Sequence, residues 1–350
     1  MNHKKPIVGI SIGDANGIGP ELIIKCFISP HILKRCIPVV YGSSKIISYH
    51  KKTLGYDDFK INQINPGQKP KNDVVNIINL WEDTIKINIG TPSKEVASYA
   101  TKALSRACED LKSKKIDCLV TLPINKKTVQ ESGFKYIGHT EYLKDFFEVK
   151  ENLMLMVSHN LRVAVATGHI PLCKVGDTLS KDVIIKKTSL LNISLMEDFG
   201  IEKPKIAILG LNPHSGDNGA IGKEEIDLIK PAINQLNKDG VFCFGPFSAD
   251  GFFGTLQYRK YDGVMAMYHD QGLAPFKSLA FDTGVNFTAG LPVVRTSPDH
   301  GPAYDLAGKN IANESSFRNS IYTAIDVFNH RKSFKEYIQN PLKSTALSNE

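Results

Sequence analysis

The sequence predicts an α/β protein of two lobes sharing a long sheet, and three observations predict it. Short apolar runs alternate with helical stretches along most of the chain, the β-then-α order that accompanies parallel strands. Several runs, among them Leu161–Gly168, Ile206–Pro213 and Tyr261–Tyr268, are long in apolar residues, as strands buried on both faces are. The 350 residues exceed what one compact core organises, so two lobes are expected.

Taken in order, Pro6–Gly13 reads as the first strand. Gly13–Glu21 (GDANGIGPE) is a loop into a helix that starts near Pro20, since proline suits the first helical turn. Pro38–Gly42 is a short strand. Residues 56–90 are polar and irregular, an excursion with β character near Val74–Leu80 and Thr84–Ile89. Ser93 caps a long helix in which Val96, Ala100, Ala103, Leu104, Ala107 and Leu111 recur on one face. Cys118–Ile124 is the next strand and Tyr142–Phe147 a helix. Residues 153–169 hold two apolar runs split by Ser158-His159-Asn160, a hairpin pattern. Helices at 180–199 and 223–239 flank a strand at 205–211. Strands follow at 241–247, 261–269 and 285–296, then a last helix over 316–338. The tail from Pro341 reads as frayed.

Composition narrows the function classes. The net charge of +7 is spread without blocks and the aromatics form no stacking platform, which argues against nucleic acid and suits an anionic small substrate. No stretch reaches the length of a membrane span. The N-terminal MNHKKPIVGISIG lacks a signal-peptide cleavage site, so a cytoplasmic location is expected. None of the six cysteines forms a C-x-x-C pair; they read as reduced and mostly buried.

Three histidines sit where apolar runs break into glycine-containing turns: His169, His214 and His269. Ligand sites in parallel α/β sheets lie at the carboxyl ends of strands. Three imidazoles there are a candidate metal site with an open position, although each alone also reads as a polar strand end. The GDANGIGPE loop is either an anion cradle or a tight turn. In Gly138-His139-Thr140-Glu141, Thr140 is either an N-cap or, with His139, a donor to a phosphate or carboxylate. Lys277, Asn286 and Arg295 are spaced around the run Val285–Val294; a Lys and an Arg at strand ends would clamp a doubly charged anion, or be surface charges. The loop from His300 to Asn313 is polar and glycine-containing, of a kind that could wrap an adenine and ribose.

Together these motifs resemble the 4-hydroxythreonine-4-phosphate dehydrogenase family of vitamin B6 biosynthesis. The resemblance runs from GDANGIGPE through TLPINK, GHTEYL, GHIPL, GLNPHSGDNGAIGKEEID and MYHDQGLAPFK to GLPVVRTSPDHGPAYDLAGK. Two mild departures are Asn16 after Ala15 in the first loop and Ser215-Gly216-Asp217 after His214. The resemblance implies the fold of isocitrate and isopropylmalate dehydrogenases, a doubly wound two-lobed dimer. One lobe would comprise about residues 1–140 with 300–350, the other about 141–299. It implies His169, His214 and His269 as metal ligands, one contributed across a homodimer interface. It implies His139, Thr140, Lys277, Asn286 and Arg295 as substrate-binding residues. His300, Gly301, Ala303, Asp305 and Asn313 would then bind NAD or NADP. Three imidazoles suit Zn²⁺ or Co²⁺, with Mg²⁺ a further option where availability decides.

The implied reaction is metal-assisted oxidation of a phosphorylated amino acid at its secondary alcohol, hydride passing to the nicotinamide, followed by decarboxylation of the β-keto acid. Asp250, Asp270 and metal-bound water are the candidate bases. Rival readings are a relative acting on a threonate or erythronate phosphate, a metal-dependent hydrolase using the same histidines, and a binding protein without turnover.

Overall fold

A computed structural model describes residues 5–83 and 85–339. Among the described residues twelve strands form one sheet. They are β1 (Ile7–Ser11), β2 (Ile37–Gly42), β3 (Ile61–Ile64), β4 (Val75–Asn79), β5 (Cys118–Thr121), β6 (Leu153–Ser158), β7 (Leu161–Thr167), β8 (Lys205–Leu209), β9 (Phe242–Phe247), β10 (Gly263–Tyr268), β11 (Val285–Ala289) and β12 (Arg295–Pro298). Their order across the sheet is β3-β4-β2-β1-β5-β12-β11-β6-β7-β10-β8-β9. The first six run parallel, and so do the last four. Between them β12, β11, β6 and β7 pair antiparallel. Three reversals make the two parallel blocks run in opposite directions.

The mixed α/β class is as expected, and the runs ending before His169, His214 and His269 are indeed parallel neighbours, β7, β8 and β10. Ser93 caps the helix Lys94–Lys112 by accepting from the Val96 amide, and all six stripe residues are buried. The hairpin at 158–160 joins β6 to β7.

Four expectations are corrected. The run 285–296 is two strands, not one: Gly290 turns with φ 84° and Pro292 lacks a donor, so the chain leaves the ladder between β11 and β12. Arg295 therefore opens a strand and does not end one. Lys277 is not at a strand end but in the last turn of a helix, His269–Ala280, which contains Gly272 and Pro275. Residues 85–89 form no strand, while Ile61–Ile64 does, as a polar edge strand. Thr84 and the tail from Pro341 lie outside the described residues. Among the described residues no helix is long and apolar enough to cross a membrane.

Side-chain alternation separates the two faces of the central antiparallel strands. Leu153, Leu155 and Val157 of β6 and Val285, Phe287 and Ala289 of β11 enter the larger core with Phe317, Ile321 and Ala324 of the helix Ser315–Gln339. Met154 and Met156 point to the other face, where a cavity lies.

One buried titratable group bears on stability. His50, in the helix Ser44–Leu54, is fully buried, and its Nε2 lies 2.8 Å from the Ala15 carbonyl. That nitrogen carries the proton and donates, leaving Nδ1 without a partner. Burial lowers the His50 pKa from 6.5 to about 4, against a smaller opposing effect of the Ala15 hydrogen bond. Below pH 6.5 the unfolded chain binds a proton at this residue that the folded chain refuses. Stability is therefore lost as pH falls from 6.5 toward 4, by about 3 kcal/mol for a shift of this size. Urea unfolding at pH 7 and pH 4.5 should show a shallower pH slope for His50→Gln than for the native chain. Equal slopes would mean His50 does not titrate in this way.

Candidate active site

A cavity of about 350 Å³ lies against the face of the central strands. Thr121 of β5, Met154 and Met156 of β6, Asn286 of β11 and Arg295 and Ser297 of β12 line it. His139 and Thr140 enter from the helix His139–Phe146, and His269 and Lys277 from the helix His269–Ala280.

Arg295 dominates the cavity. It is 2% exposed. Its Nε and Nη2 donate to Thr121 Oγ1 at 3.0 and 2.6 Å, and Nη1 donates to Thr288 Oγ1 at 3.0 Å. No aspartate or glutamate pairs with it among the described residues; Glu141 acts on it only through space. Burial pulls its pKa down to about 10, so it remains charged at neutral pH. A buried guanidinium held only by neutral acceptors is a costly arrangement unless an anion joins it.

His139 supplies the complement. Arg295 Nη2 lies 3.3 Å from His139 Nδ1. Arginine can only donate, so Nδ1 accepts and the ring proton sits on Nε2. Nε2 is buried and has no partner. Burial first, then the charges of Arg295 and Lys126, push the His139 pKa well below its ordinary value, so it is a neutral donor. Asn286 Oδ1 is likewise buried and unpaired. Thr140 is not the N-cap: Gly138 takes that extended position, and Thr140 already lies in the first helical turn.

Lys277 is not a free charge. Its Nζ lies 3.2 Å from Asp299 Oδ1. Burial raises the Asp299 pKa, and Lys277 partly offsets that. Asp299 and Lys126 both line the cavity. Sequence reasoning did not single them out, although each lies in a motif already noted, SPDHGPA and TLPINK.

The three histidines divide. His169 and His269 face each other in this cavity, ring centroids 5.4 Å apart. His269 Nδ1 is 2.7 Å from Asp270 Oδ1, which fixes that ring and leaves Nε2 free to act as a ligand. His214 lines a second cavity of about 500 Å³ together with Asp250, Asp270 and Gln271. Asp250 accepts from Ser248 Oγ at 2.5 Å. That bond and the Gly251 amide hold its carboxyl below the usual range. Among the described residues of one chain, no three His, Cys, Asp or Glu side chains gather closely enough to hold a metal. The donor set fits a borderline cation in kind, but one chain brings only two of the three imidazoles together.

The loop from His300 docks on the first glycine-rich loop. Ile18 N donates to Pro302 O at 2.9 Å, and Tyr304 Oη donates to Asp14 at 2.6 Å. A Cβ on Gly17 would stand 2.7 Å from Pro302 O, so only glycine permits this approach. The turn reading of GDANGIGPE is therefore the structural one. His300 and Gly301 line the main cavity, and His300 Nε2 is buried without a partner. Ala303 takes a φ of 45°. Asp305 is exposed, and Asn313 accepts from the Ser315 amide at 2.9 Å at the start of the last helix.

The family described as pyridoxal phosphate biosynthetic protein PdxA matches residues 34–324. The chain belongs to the PdxA family. The 4-hydroxythreonine-4-phosphate dehydrogenase of Bacteroides thetaiotaomicron is 45% identical over 345 residues, covering 98% of this chain and 94% of that one. That of Sulfurihydrogenibium sp. is 45% identical over 323 residues, covering 91% and 97%. A crystal structure of 4-hydroxythreonine-4-phosphate dehydrogenase from Klebsiella pneumoniae superposes with a TM-score of 0.80 at 31% identity, covering 94% of this chain and 99% of that one. The PdxA fold is isocitrate/isopropylmalate dehydrogenase-like, as the sequence motifs implied.

Proposed function

We propose that this chain oxidises 4-hydroxythreonine 4-phosphate, with decarboxylation to 3-amino-2-oxopropyl phosphate, as a step of pyridoxal phosphate biosynthesis. The observation that carries the reading is Arg295, a buried guanidinium without an anionic partner, beside a neutral His139 whose Nε2–H points at nothing. A phosphate oxygen satisfies both. Relatives at 45% identity that carry this activity in their names support the same substrate.

Each residue has a task in this reading. Arg295 and His139 donate to the phosphate, and Thr140 adds its hydroxyl at the helix start. Lys277, steadied by Asp299, adds a second cation, and Asn286 accepts from a substrate donor. His169 and His269 of one copy and His214 of a second copy would hold a divalent cation such as Zn²⁺ or Co²⁺ that acidifies the secondary hydroxyl when bound. The dimer is part of the proposal because one chain unites only two of the imidazoles. His300 and Gly301, with Ala303, Asp305 and Asn313 on the same loop, would face NAD or NADP. Of the candidate bases, Asp270 already steadies His269, whereas Asp250 stands by His214 with its carboxyl ionised. Five of the six cysteines are buried and all are free, in keeping with a cytoplasmic enzyme.

The test is NADH formation from 4-hydroxythreonine 4-phosphate with and without a chelator, run beside threonate 4-phosphate. The comparison substrate matters because the putative D-threonate 4-phosphate dehydrogenase of Oceanobacillus iheyensis is 37% identical. Chelator-sensitive turnover favouring the amino acid is expected. Faster turnover of the threonate ester would move the chain to that branch, and absence of nicotinamide reduction with either would sink the reading.

A further inference from the structure

The backbone from His214 to Asn218 is left-handed at five consecutive residues, with φ of 51°, 53°, 77°, 41° and 55°. Only Gly216 among them lacks a Cβ. Each of the others carries a Cβ that this conformation crowds against the following carbonyl. Strain of this kind persists where the surroundings over-determine it, and such outliers cluster at functional sites.

Glu225 packs against this loop and accepts from the residues that lead into it. Its side chain is fully enclosed, at 1% exposure. Oε1 accepts from the Leu211 and Asn212 amides at 2.7 and 2.8 Å, and Oε2 accepts from Asn212 Nδ2 at 2.9 Å. The carboxylate occupies a gap that two glycines leave. A Cβ on Gly210 would stand 3.1 Å from Oε1, and one on Gly216 would stand 2.5 Å from Oε2. Glu225 opens a π-helical turn, Glu225–Ile229, a widened geometry found often at functional sites. On the far side, Gln271 Nε2 donates to Gly210 O at 2.5 Å while its Oε1 accepts from Met267 N at 2.7 Å. This amide ties the exit of β8, which leads to His214, to the end of β10, which leads to His269. The spacing GLNPHSGDNGAIGKEE thus encodes a strained loop and the carboxylate that clamps it.

We infer that Glu225 is the positioning residue of His214: its buried carboxylate holds the 211–218 loop in its left-handed course and so fixes where the exposed imidazole stands. This rests on the reading of His214 as a ligand, and the experiment separates the two. Full-length protein, Glu225→Ala, Glu225→Gln and His214→Ala are titrated with Co²⁺ and followed by visible absorption. Hydrogen exchange is measured at the Leu211 and Asn212 amides. Both alanine variants should bind Co²⁺ about tenfold or more weakly, the usual loss when a ligand's supporting shell goes. Only Glu225→Ala should also lose protection at Leu211 and Asn212. Glu225→Gln should recover most of that protection, because its carbonyl oxygen still accepts from both amides. If Glu225→Ala does not fold, Glu225→Gln carries the test: its Co²⁺ affinity should lie near the native value. Unchanged exchange and unchanged Co²⁺ affinity in Glu225→Ala would overturn the inference, as would a folded Glu225→Gln with an unprotected loop. Native Co²⁺ binding by His214→Ala would overturn the ligand reading instead, and the amide exchange alone would then decide the role of Glu225.

Discussion

Arg295→Met should raise KM for the phosphorylated substrate about ten- to a hundredfold for each charge-assisted hydrogen bond lost, at roughly 1.5–3 kcal/mol apiece. The same variant should be at least as stable as the native chain when no ligand is present. The guanidinium is enclosed, its charge has no carboxylate partner, and its neighbours Thr121 and Thr288 are neutral. Exchanging a buried, uncompensated charge for an apolar side chain of similar length removes a desolvation cost. Phosphate added at a hundred times its Kd should stabilise the native protein by about 2.7 kcal/mol and the variant hardly at all. Arg295→Lys should rescue only in part, since an ammonium cannot reproduce the planar fork. Steady-state kinetics and thermal melts with and without phosphate check all of this. If KM rises equally for an unphosphorylated analogue, Arg295 serves the substrate carboxylate or the fold.

Subunit mixing gives the second large effect. His169 and His269 face each other within one chain, whereas His214 lines a separate cavity. If a site takes two imidazoles from one copy and one from another, inactive His169→Ala and His214→Ala proteins should complement on mixing. Each hybrid dimer then holds one intact site, and random exchange restores about a quarter of native activity. His169→Ala mixed with His269→Ala should restore nothing, because every hybrid site lacks one of the facing pair. The resemblance alone led to the expectation that His169→Ala and His269→Ala would complement each other; the 5.4 Å ring separation within one chain reverses that choice. Complementation by the second mixture, or by neither after verified exchange, would break the proposed division of the ligands.

What the sequence made legible was local. Ser93 and the apolar stripe announce the helix Lys94–Lys112, because cap and periodicity both lie within it. The β6–β7 hairpin shows as two apolar runs around a polar tip. The helix His269–Ala280 was hidden by Gly272 and Pro275, two residues that ordinarily break helices, and β3 by its polar INQI, which only an edge position tolerates. The candidate-site residues could be named from motifs, but their relations could not. That Arg295 meets His139 depends on a contact 156 residues apart, and that Lys277 pairs with Asp299 depends on a helix end reaching a strand end. Nor does spacing reveal that His214 stands apart from the other two histidines.

The unbroken ladder through β12, β11, β6 and β7 also has a mechanical meaning. Hydrogen bonds cross the middle of the molecule without interruption, so its halves cannot swing apart like the leaves of a door without tearing the pairs that join Asn286 to Met156 and Ser297. The strands beneath the cavity act as a stiff floor, and whatever adjusts around an incoming molecule must come from the walls: the helix that begins at His139 and the segment from His300 onward. Arg295 and Asn286 sit on adjacent paired strands of that floor, so the site should measure the length of its guest.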